Sequence, residues 1–256
     1  MLILGCGWVG EDLAVQLLKD GYQVWATTTQ EDKAKRLLAL GIQAVVVNFD
    51  QKVSSEVFPK TFDYVLTSVP ASSRLDVAQS KVRFDHILSF LKDICYIKNI
   101  YLSSTGVYPD QDAVFTEEYS DDLNERLYAA EKIMLQAPNT IVYRLGGLFG
   151  KNRIFAKYFE NRVCTTGDQL ANFVHVDDVV QLIQQGFEQH LESNIYNIVA
   201  PEHPVKKDVI IASAAKYGFQ LPSAFIPENS FQKLVDGSKV MEKLNYTFKY
   251  ANPIDF

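Results

Sequence analysis

The sequence has few of the features that mark secreted, membrane-spanning or metal-binding proteins. Its 256 residues include three cysteines, Cys6, Cys95 and Cys164, an odd number at wide spacings. That pattern matches neither a disulfide framework nor a set of metal ligands. No apolar stretch approaches the roughly 18 residues that indicate a membrane helix. These shortages predict a cytoplasmic protein with no metal and no membrane partner.

Positive charge is also scarce. The chain carries 25 Lys and Arg residues against 31 Asp and Glu residues, a formal net charge of −6, and its one compact basic cluster is Lys33–Arg36. Nucleic-acid-binding proteins normally present a basic face, so a nucleic-acid partner is not expected. The 47% hydrophobic content is enough for a dry globular core. A small molecule is therefore the expected partner.

Short apolar runs alternate with amphipathic segments over the first two hundred residues. The runs predict strands because they are rich in Val, Ile and Tyr and apolar at successive positions, as in strands covered on both faces. The predicted strands are Leu2–Leu4, Gln23–Thr28, Ala44–Asn48, Tyr64–Ser68, Asn99–Ser103, Thr140–Leu145 and Ile195–Val199. Strand–helix–strand repetition predicts an α/β fold with a Rossmann-type doubly wound parallel sheet.

A glycine-rich stretch, Gly5-Cys6-Gly7-Trp8-Val9-Gly10, joins the first predicted strand to an amphipathic helix. In this context the first glycine permits a tight turn, the second lets a diphosphate approach the backbone, and the third allows close helix–strand packing. The helix N-terminus adds unpaired N–H groups and partial positive charge. We therefore expect Gly5, Gly7, Trp8, Val9 and Gly10 to bind a dinucleotide, with Cys6 as a small filler.

The end of the second strand bears on the choice of cofactor. NAD-binding proteins usually place an acid there for the ribose 2′-hydroxyl, but this strand ends at Thr28. Without that carboxylate nothing repels a 2′-phosphate, which Thr28, Thr29 and Lys33 could bind. NADP is therefore the expected cofactor, with NAD as the alternative. Thr29 is also suited to capping the following helix.

The alternation of strands and helices ends near Gly150, where Pro and Asn become more frequent. We expect a dinucleotide-binding domain over residues 1–150, to which residues 173–200 return. Residues 151–172 and 201–256 would then form a small, non-contiguous C-terminal substrate lobe.

With the glycine-rich loop, the segments "YLSSTGVYPD" and "NFVHVDDVV" make the chain similar to extended short-chain dehydrogenases/reductases, the NAD-dependent epimerase/dehydratase family. The similarity runs nearly from end to end, since "VLTSVPAS" and "YRLGGLFGKNR" match the fourth and sixth strands of that family. The short tail resembles its atypical YeeZ-like branch. The resemblance implies an NAD(P)-dependent oxidoreductase or epimerase that acts on a small polar alcohol, carbonyl compound or sugar derivative.

The resemblance also assigns expected roles to particular residues. Ser104 occupies the position of the catalytic Ser/Thr at the end of strand five, and Asp50 that of an acid which contacts adenine. Thr67, Ser68 and Pro70 would border the ribose and nicotinamide.

Tyr128 and Lys132 have the Tyr-x-x-x-Lys spacing of the family's proton-transfer pair. A Lys four residues after a Tyr shares its helix face. A cation there stabilises the phenolate, so Tyr128 can exchange a proton with the substrate while hydride moves to or from the nicotinamide. In this interpretation Ser104, Tyr128 and Lys132 are catalytic.

A second register remains open. Aligning Ala129-Ala130-Glu131 with the family's "AAE" places Leu123 and Leu127 at the Tyr and Lys positions, which removes the pair. The protein would then be a catalytically impaired dinucleotide-binding sensor or regulatory protein of the same fold.

Two residues near the predicted lobe are candidates for substrate binding. Arg144 could pair with an anionic substrate or satisfy groups of the fold, and His175 could face the substrate or anchor the returning chain. A homodimer is expected as well, because Val82, Ile87, Phe90 and Leu91 form a broad apolar band on a helix that pairs across a two-fold axis in this superfamily.

Overall fold

The computed structural model describes residues 1–189, 191–192 and 194–256. Eight helices are found in these residues: α1 Trp8–Lys19, α2 Glu31–Ala39, α3 Val77–Leu91, α4 Glu125–Met134, α5 Phe155–Phe159, α6 Val176–Glu188, α7 Lys206–Tyr217 and α8 Ser238–Leu244. The strands are β1 Leu2–Leu4, β2 Trp25–Thr28, β3 Gln43–Val46, β4 Thr61–Thr67, β5 Cys95–Ser104, β6 Ala113–Phe115, β7 Thr140–Leu145, β8 Gly147–Phe149, β9 Val163–Cys164, β10 Phe173–His175, β11 Ile195–Ile198, β12 Ala224–Phe225 and β13 Lys233–Val235.

Seven of these strands form one sheet in the order β11-β7-β5-β4-β1-β2-β3. The order reverses direction at β1, which pairs in parallel with both β2 and β4. Strands β1 and β7 are buried along their whole length, as expected for strands covered by helices on both faces. The expected fold class, a Rossmann-type doubly wound parallel sheet, is confirmed.

Contacts divide the chain into two compact units. The first contains Met1–Val107, Leu123–Tyr143 and Ile183–Ile195; the second contains Tyr108–Asp122, Arg144–Leu182 and Tyr196–Phe256. These ranges differ from the expected ones, since residues 108–122 belong to the second unit. The functional roles expected for a dinucleotide domain and a substrate lobe stay predictions.

Each unit has its own apolar core. In the first, Leu4, Phe84, Phe90 and Val142 belong to a cluster in which α3 and α4 pack onto the sheet. The second unit has a smaller cluster of Phe149, Phe155, Ala171 and Val209. It also contains three short pairs of parallel strands, β8–β10, β9–β12 and β6–β13.

No helix of the described part of the chain has both the length and the apolar character needed to cross a membrane. Within the same residues, no group of three or more His, Cys, Asp and Glu side chains is placed to hold a metal ion.

Candidate functional site

The three glycines between β1 and α1 have three distinct environments. Gly5 has φ +75°, and a Cβ added there would lie 2.8 Å from Val69 Cγ2, so only glycine makes this turn without strain. A Cβ on Gly10 would lie 3.0 Å from Ile3 Cγ2, which shows how closely α1 packs on β1. Apart from its neighbours in the chain, a Cβ on Gly7 would meet no atom of the described residues nearer than 3.8 Å. Gly7 is therefore the one position of the three where a side chain would enter open space.

Gly7 is also the N-cap of α1, and a glycine has no side chain with which to cap the helix. The first turn of a helix presents backbone N–H groups and partial positive charge, which together attract an anion. An open backbone cradle beside these groups fits a diphosphate. Trp8, Val9 and Gly10 are the first residues of the helix, and their role in dinucleotide binding stays a prediction.

The loop is tied to the end of β2. Gly5 N donates to Thr27 Oγ1 at 2.8 Å, and Cys6 N donates to Thr27 O at 2.7 Å. Cys6 itself is buried, and burial raises the pKa of its thiol to about 11. Burial thus outweighs the opposing effect of Lys33, as expected for a thiol that packs as a small filler beneath the loop.

Some of the residues expected near the adenosine ribose already form hydrogen bonds or ion pairs with other residues of the protein. Gln30, and not Thr29, is the N-cap residue of α2, and Gln30 N donates to Thr28 Oγ1 at 3.3 Å. Lys33 Nζ lies 3.5 Å from Glu11 Oε2, and Arg36 also pairs with Glu11, its Nη2 donating to Oε2 at 2.8 Å. The Arg36 guanidinium therefore holds the pKa of Glu11 below its usual range.

The ends of β3 and β4 carry the other expected cofactor residues. Asp50 follows β3 and is bonded by Arg83, whose Nη1 also donates to the carbonyl oxygen of Pro70 at 3.1 Å. Ser68 N pairs with Leu4 O at 2.8 Å and continues the ladder between β4 and β1. No motif pointed to Arg83.

Thr67 differs from its neighbours in the expected cofactor set. It is fully buried at the end of β4, where its hydroxyl donates to Asn99 Oδ1 at 2.9 Å. Asn99 Nδ2 in turn donates to Thr140 Oγ1 at 3.0 Å. The Thr67 hydroxyl thus belongs to a polar chain that crosses the middle of the sheet.

Ser104 ends β5 and accepts a hydrogen bond from Gly106 N at 3.1 Å. A Cβ placed on Gly106 would lie 3.3 Å from Ser104 Oγ and 3.7 Å from Leu127 Cδ1. The Leu127 side chain therefore points at the Ser104–Gly106 turn. This is the face that the second register assigns to Leu127.

Tyr128 and Lys132 contact one another on α4. Lys132 Nζ lies 4.5 Å from the centroid of the Tyr128 ring, Tyr128 is half-buried and Lys132 is exposed. Among the described residues no hydrogen bond joins Tyr128 to Ser104. The two side chains thus lie on the same face of the helix, and the catalytic role of the pair stays a prediction.

Arg144, in the second unit, is almost fully buried. Its Nη1 donates to the Tyr108 hydroxyl oxygen at 2.9 Å, and that hydroxyl also lies 2.8 Å from Asn197 Oδ1. The guanidinium carbon lies 4.9 Å from the Tyr108 ring centroid. These contacts show that Arg144 binds other residues within the fold. Its role in substrate binding stays a prediction.

His175 is buried in the second unit among aromatic rings. Its Nδ1 accepts from Asp177 N at 3.1 Å, and its ring centroid lies 3.7 Å from that of Tyr250 and 4.9 Å from that of Phe256. Burial lowers the pKa of His175, against the opposing effect of Asp177 and Asp178. The geometry supports the anchoring interpretation, and a substrate role stays a prediction.

An open parallel sheet with a glycine loop at its first strand–helix junction defines the class of Rossmann-type α/β proteins. The sequence pattern described as "NAD dependent epimerase/dehydratase family" matches residues 1–199, and the chain belongs to that family.

Individual relatives agree with this assignment. The chain is 24% identical over 266 residues to Protein YeeZ of Escherichia coli (strain K12), a match that covers 98% of this chain and 96% of YeeZ. A functionally unknown conserved protein from Silicibacter pomeroyi superposes with a TM-score of 0.79 at 22% identity, covering 99% of this chain and 95% of that one. UDP-glucuronic acid 4-epimerase from Bacillus cereus, solved in complex with NAD, superposes with a TM-score of 0.80 at 17% identity, with 99% and 92% covered. The resemblance to the YeeZ-like branch is confirmed.

Proposed function

We propose that the protein binds a nicotinamide dinucleotide and catalyses an epimerase- or dehydratase-type oxidoreduction. The substrate class would be a small polar alcohol, carbonyl compound or sugar derivative, and the setting the cytoplasm. The open space beside Gly7 at the start of α1 carries this proposal, because it fits a diphosphate. Membership of the NAD-dependent family and the NAD complex of the Bacillus cereus epimerase support it.

NADP is the proposed cofactor, with NAD as the alternative. Thr28 stands where NAD-binding proteins usually carry an acid, so no carboxylate at that position opposes a 2′-phosphate. Lys33 and Arg36 both pair with Glu11. A 2′-phosphate would have to replace the Glu11 carboxylate as their partner, and Glu11 therefore limits the advantage of NADP.

In the proposed chemistry the substrate oxygen accepts a hydrogen bond from Ser104, whose hydroxyl uses an acceptor lone pair for Gly106 N and keeps its proton to donate. Tyr128 exchanges a proton with that oxygen, and the Lys132 ammonium, 4.5 Å from the Tyr128 ring, stabilises the phenolate. The bound nicotinamide supplies the hydride donor or acceptor.

A second function, a dinucleotide-binding sensor, is favoured by one observation. The Leu127 side chain points at the Ser104–Gly106 turn. A leucine cannot transfer a proton, so a site built around this face would retain binding without catalysis.

The two functions differ in the effect of Tyr128→Phe. If the protein is an enzyme, loss of the phenol should lower kcat/KM for a carbonyl substrate at least about 100-fold, because a proton-transfer group is removed. The dissociation constants for NADPH and NADH, followed by fluorescence titration, should not change. The ratio of those two constants in the unmodified protein tests the choice of cofactor.

Tyr96→Phe is a suitable control for this measurement. Tyr96 lies near the start of β5, eight residues before Ser104, and its buried hydroxyl has no hydrogen-bond partner among the residues that the structure describes. Its removal should leave activity unchanged. Full activity of Tyr128→Phe would exclude Tyr128 from the mechanism, and nucleotide binding without turnover of any carbonyl substrate would favour the sensor.

We also propose a homodimer, although most of the apolar band on α3 is used within the chain. Ile87, Phe90 and Leu91 belong to the core of the first unit, while Val82 is 48% exposed. Light scattering should give twice the chain mass of 28.9 kDa. A mass of one chain at micromolar concentration would contradict the dimer.

A further inference from the structure

We propose that Arg83 is a positioning residue for the adenosine half of the dinucleotide. It would hold Asp50 and the turn at Pro70 in the arrangement that the nucleotide binds. This role rests on the proposed dinucleotide binding, and it concerns a residue of α3 that lies outside the glycine-rich loop and the predicted catalytic pair.

The Arg83 guanidinium uses three nitrogens on two segments of the chain. Its Nε donates to Asp50 Oδ1 at 2.6 Å, and a second nitrogen, Nη2, lies 2.5 Å from the same oxygen. The third, Nη1, donates to Pro70 O at 3.1 Å. The Arg83 side chain is only 14% exposed. A lysine has no planar fork of donors, so it could not make all three contacts from one position.

Arg83 is one of three residues on the same face of α3 that fix the turn at Phe49–Asp50. One helical turn further on, His86 Nδ1 donates to Phe49 O at 3.0 Å. One more turn along, the Phe90 ring packs edge-on against Phe49, with centroids 5.6 Å apart. Since positions i, i+3 and i+7 of a helix lie on one side, a single stripe of α3 holds this turn.

The two segments that Arg83 joins flank the ends of the central strands. Asp50 follows β3 and Pro70 follows β4, and in the sheet order β1 and β2 lie between these strands. Val69, next to Pro70, approaches Gly5, where an added Cβ would lie 2.8 Å from Val69 Cγ2. Ligands of open α/β sheets bind beyond the carboxyl ends of the strands. Arg83 therefore binds the segments on both sides of the crevice in which the adenosine would lie.

The contacts also leave Asp50 suited to an adenine. Both contacts from Arg83 fall on Oδ1, and within the described part of the chain Oδ2 accepts no hydrogen bond. A carboxylate oxygen accepts from an amino group such as the exocyclic amine of adenine. The guanidinium also offsets the charge of Asp50, which would otherwise repel the nucleotide phosphates.

A double-mutant cycle in nucleotide affinity tests this role. NADH and NADPH are titrated into the unmodified protein, Arg83→Met, Asp50→Asn and the double variant. We expect each single change to raise the dissociation constant about tenfold. The dissociation constant of the double variant should exceed that of either single variant by no more than about twofold, because the two residues act as one unit. Arg83→Lys should lose about threefold, since it can replace only part of the fork.

Lys81→Met is the matched control, because it removes one positive charge from the same helix at an exposed position that contacts Glu125. Its affinity should equal that of the unmodified protein. Unchanged affinity in Arg83→Met, or losses that multiply in the double variant, would overturn the proposed role. If Arg83→Met does not fold, equal affinities of Arg83→Lys and the unmodified protein would overturn it instead. Failure of the unmodified protein to bind either nucleotide would remove the proposed function, and this role with it.

Discussion

Replacing Gly7 with valine is expected to give a folded protein that has lost at least about 100-fold in affinity for NADPH and NADH, which corresponds to about 2.7 kcal/mol. Gly7 has an extended backbone, φ −82° and ψ −153°, and its negative φ does not require glycine. Apart from its neighbours in the chain, an added Cβ would meet no atom of the described residues nearer than 3.8 Å, so the chain should accept it. The side chain would instead occupy the space proposed for the diphosphate and cover the first N–H groups of α1.

Fluorescence titration with both nucleotides measures the loss of affinity, and thermal unfolding shows that the variant is folded. Valine is a poorer N-cap than glycine, so a stability loss of up to about 1 kcal/mol is expected as well. Ala39→Val, at the exposed end of α2, adds the same side chain away from the loop and should bind normally. Normal binding by Gly7→Val would show that the loop does not hold the diphosphate.

The sheet is predictable from the sequence because most of its strands are apolar runs, whereas the edge strand β3 is partly exposed. Leu2–Leu4 and Thr140–Leu145 were predicted with the bounds that the structure has, and both are buried throughout. β5 was predicted from Asn99 but begins at Cys95. Its first four residues are at least partly exposed, with Ile97 57% exposed, and the polar pair Lys98 and Asn99 separates the first three of them from the apolar run that marks the buried part of the strand.

The glycine loop was predictable for a related reason: its conformation depends on local chemistry. A turn with positive φ and a close helix–strand contact each require glycine, so Gly5 and Gly10 can be recognised from spacing alone. The environment of Cys6 could not be recognised, because its pKa depends on how deeply the folded chain buries it.

The sequence pattern does not determine which face of α4 meets Ser104. Leu127 and Tyr128 are adjacent, about 100° apart around the helix, and either could face Ser104 under the same apolar pattern. The choice depends on where the Ser104–Gly106 turn meets the helix, a tertiary contact that no local signal encodes. The contact between Arg83 and Asp50 is likewise not predictable from the sequence, because the two residues lie 33 positions apart without any periodic relation.

Asp178→Ala is expected to destabilise the protein by about 3–5 kcal/mol. Asp178 lies in the first turn of α6, and its fully buried carboxylate accepts three hydrogen bonds from residues 68 to 72 positions later. Tyr246 OH and Lys249 N donate to Oδ1, each at 2.7 Å, and Tyr250 N donates to Oδ2 at 3.1 Å. Alanine would leave all three donors without this acceptor and release the Tyr246–Tyr250 segment, whose last ring packs on His175.

Urea unfolding of three variants separates this network from a general effect of charge. Asp178→Asn keeps an oxygen for Tyr246 and Lys249 but turns an amide N–H₂ towards Tyr250 N. Its free energy of unfolding should therefore lie between that of the alanine variant and that of the unmodified protein. Asp177→Asn removes the neighbouring carboxylate, which is 38% exposed and 3.5 Å from Lys249 Nζ, and should change stability by less than about 1 kcal/mol. A loss below about 1 kcal/mol for Asp178→Ala would mean that the Tyr246–Tyr250 segment is held by its aromatic packing, with Asp178 contributing little.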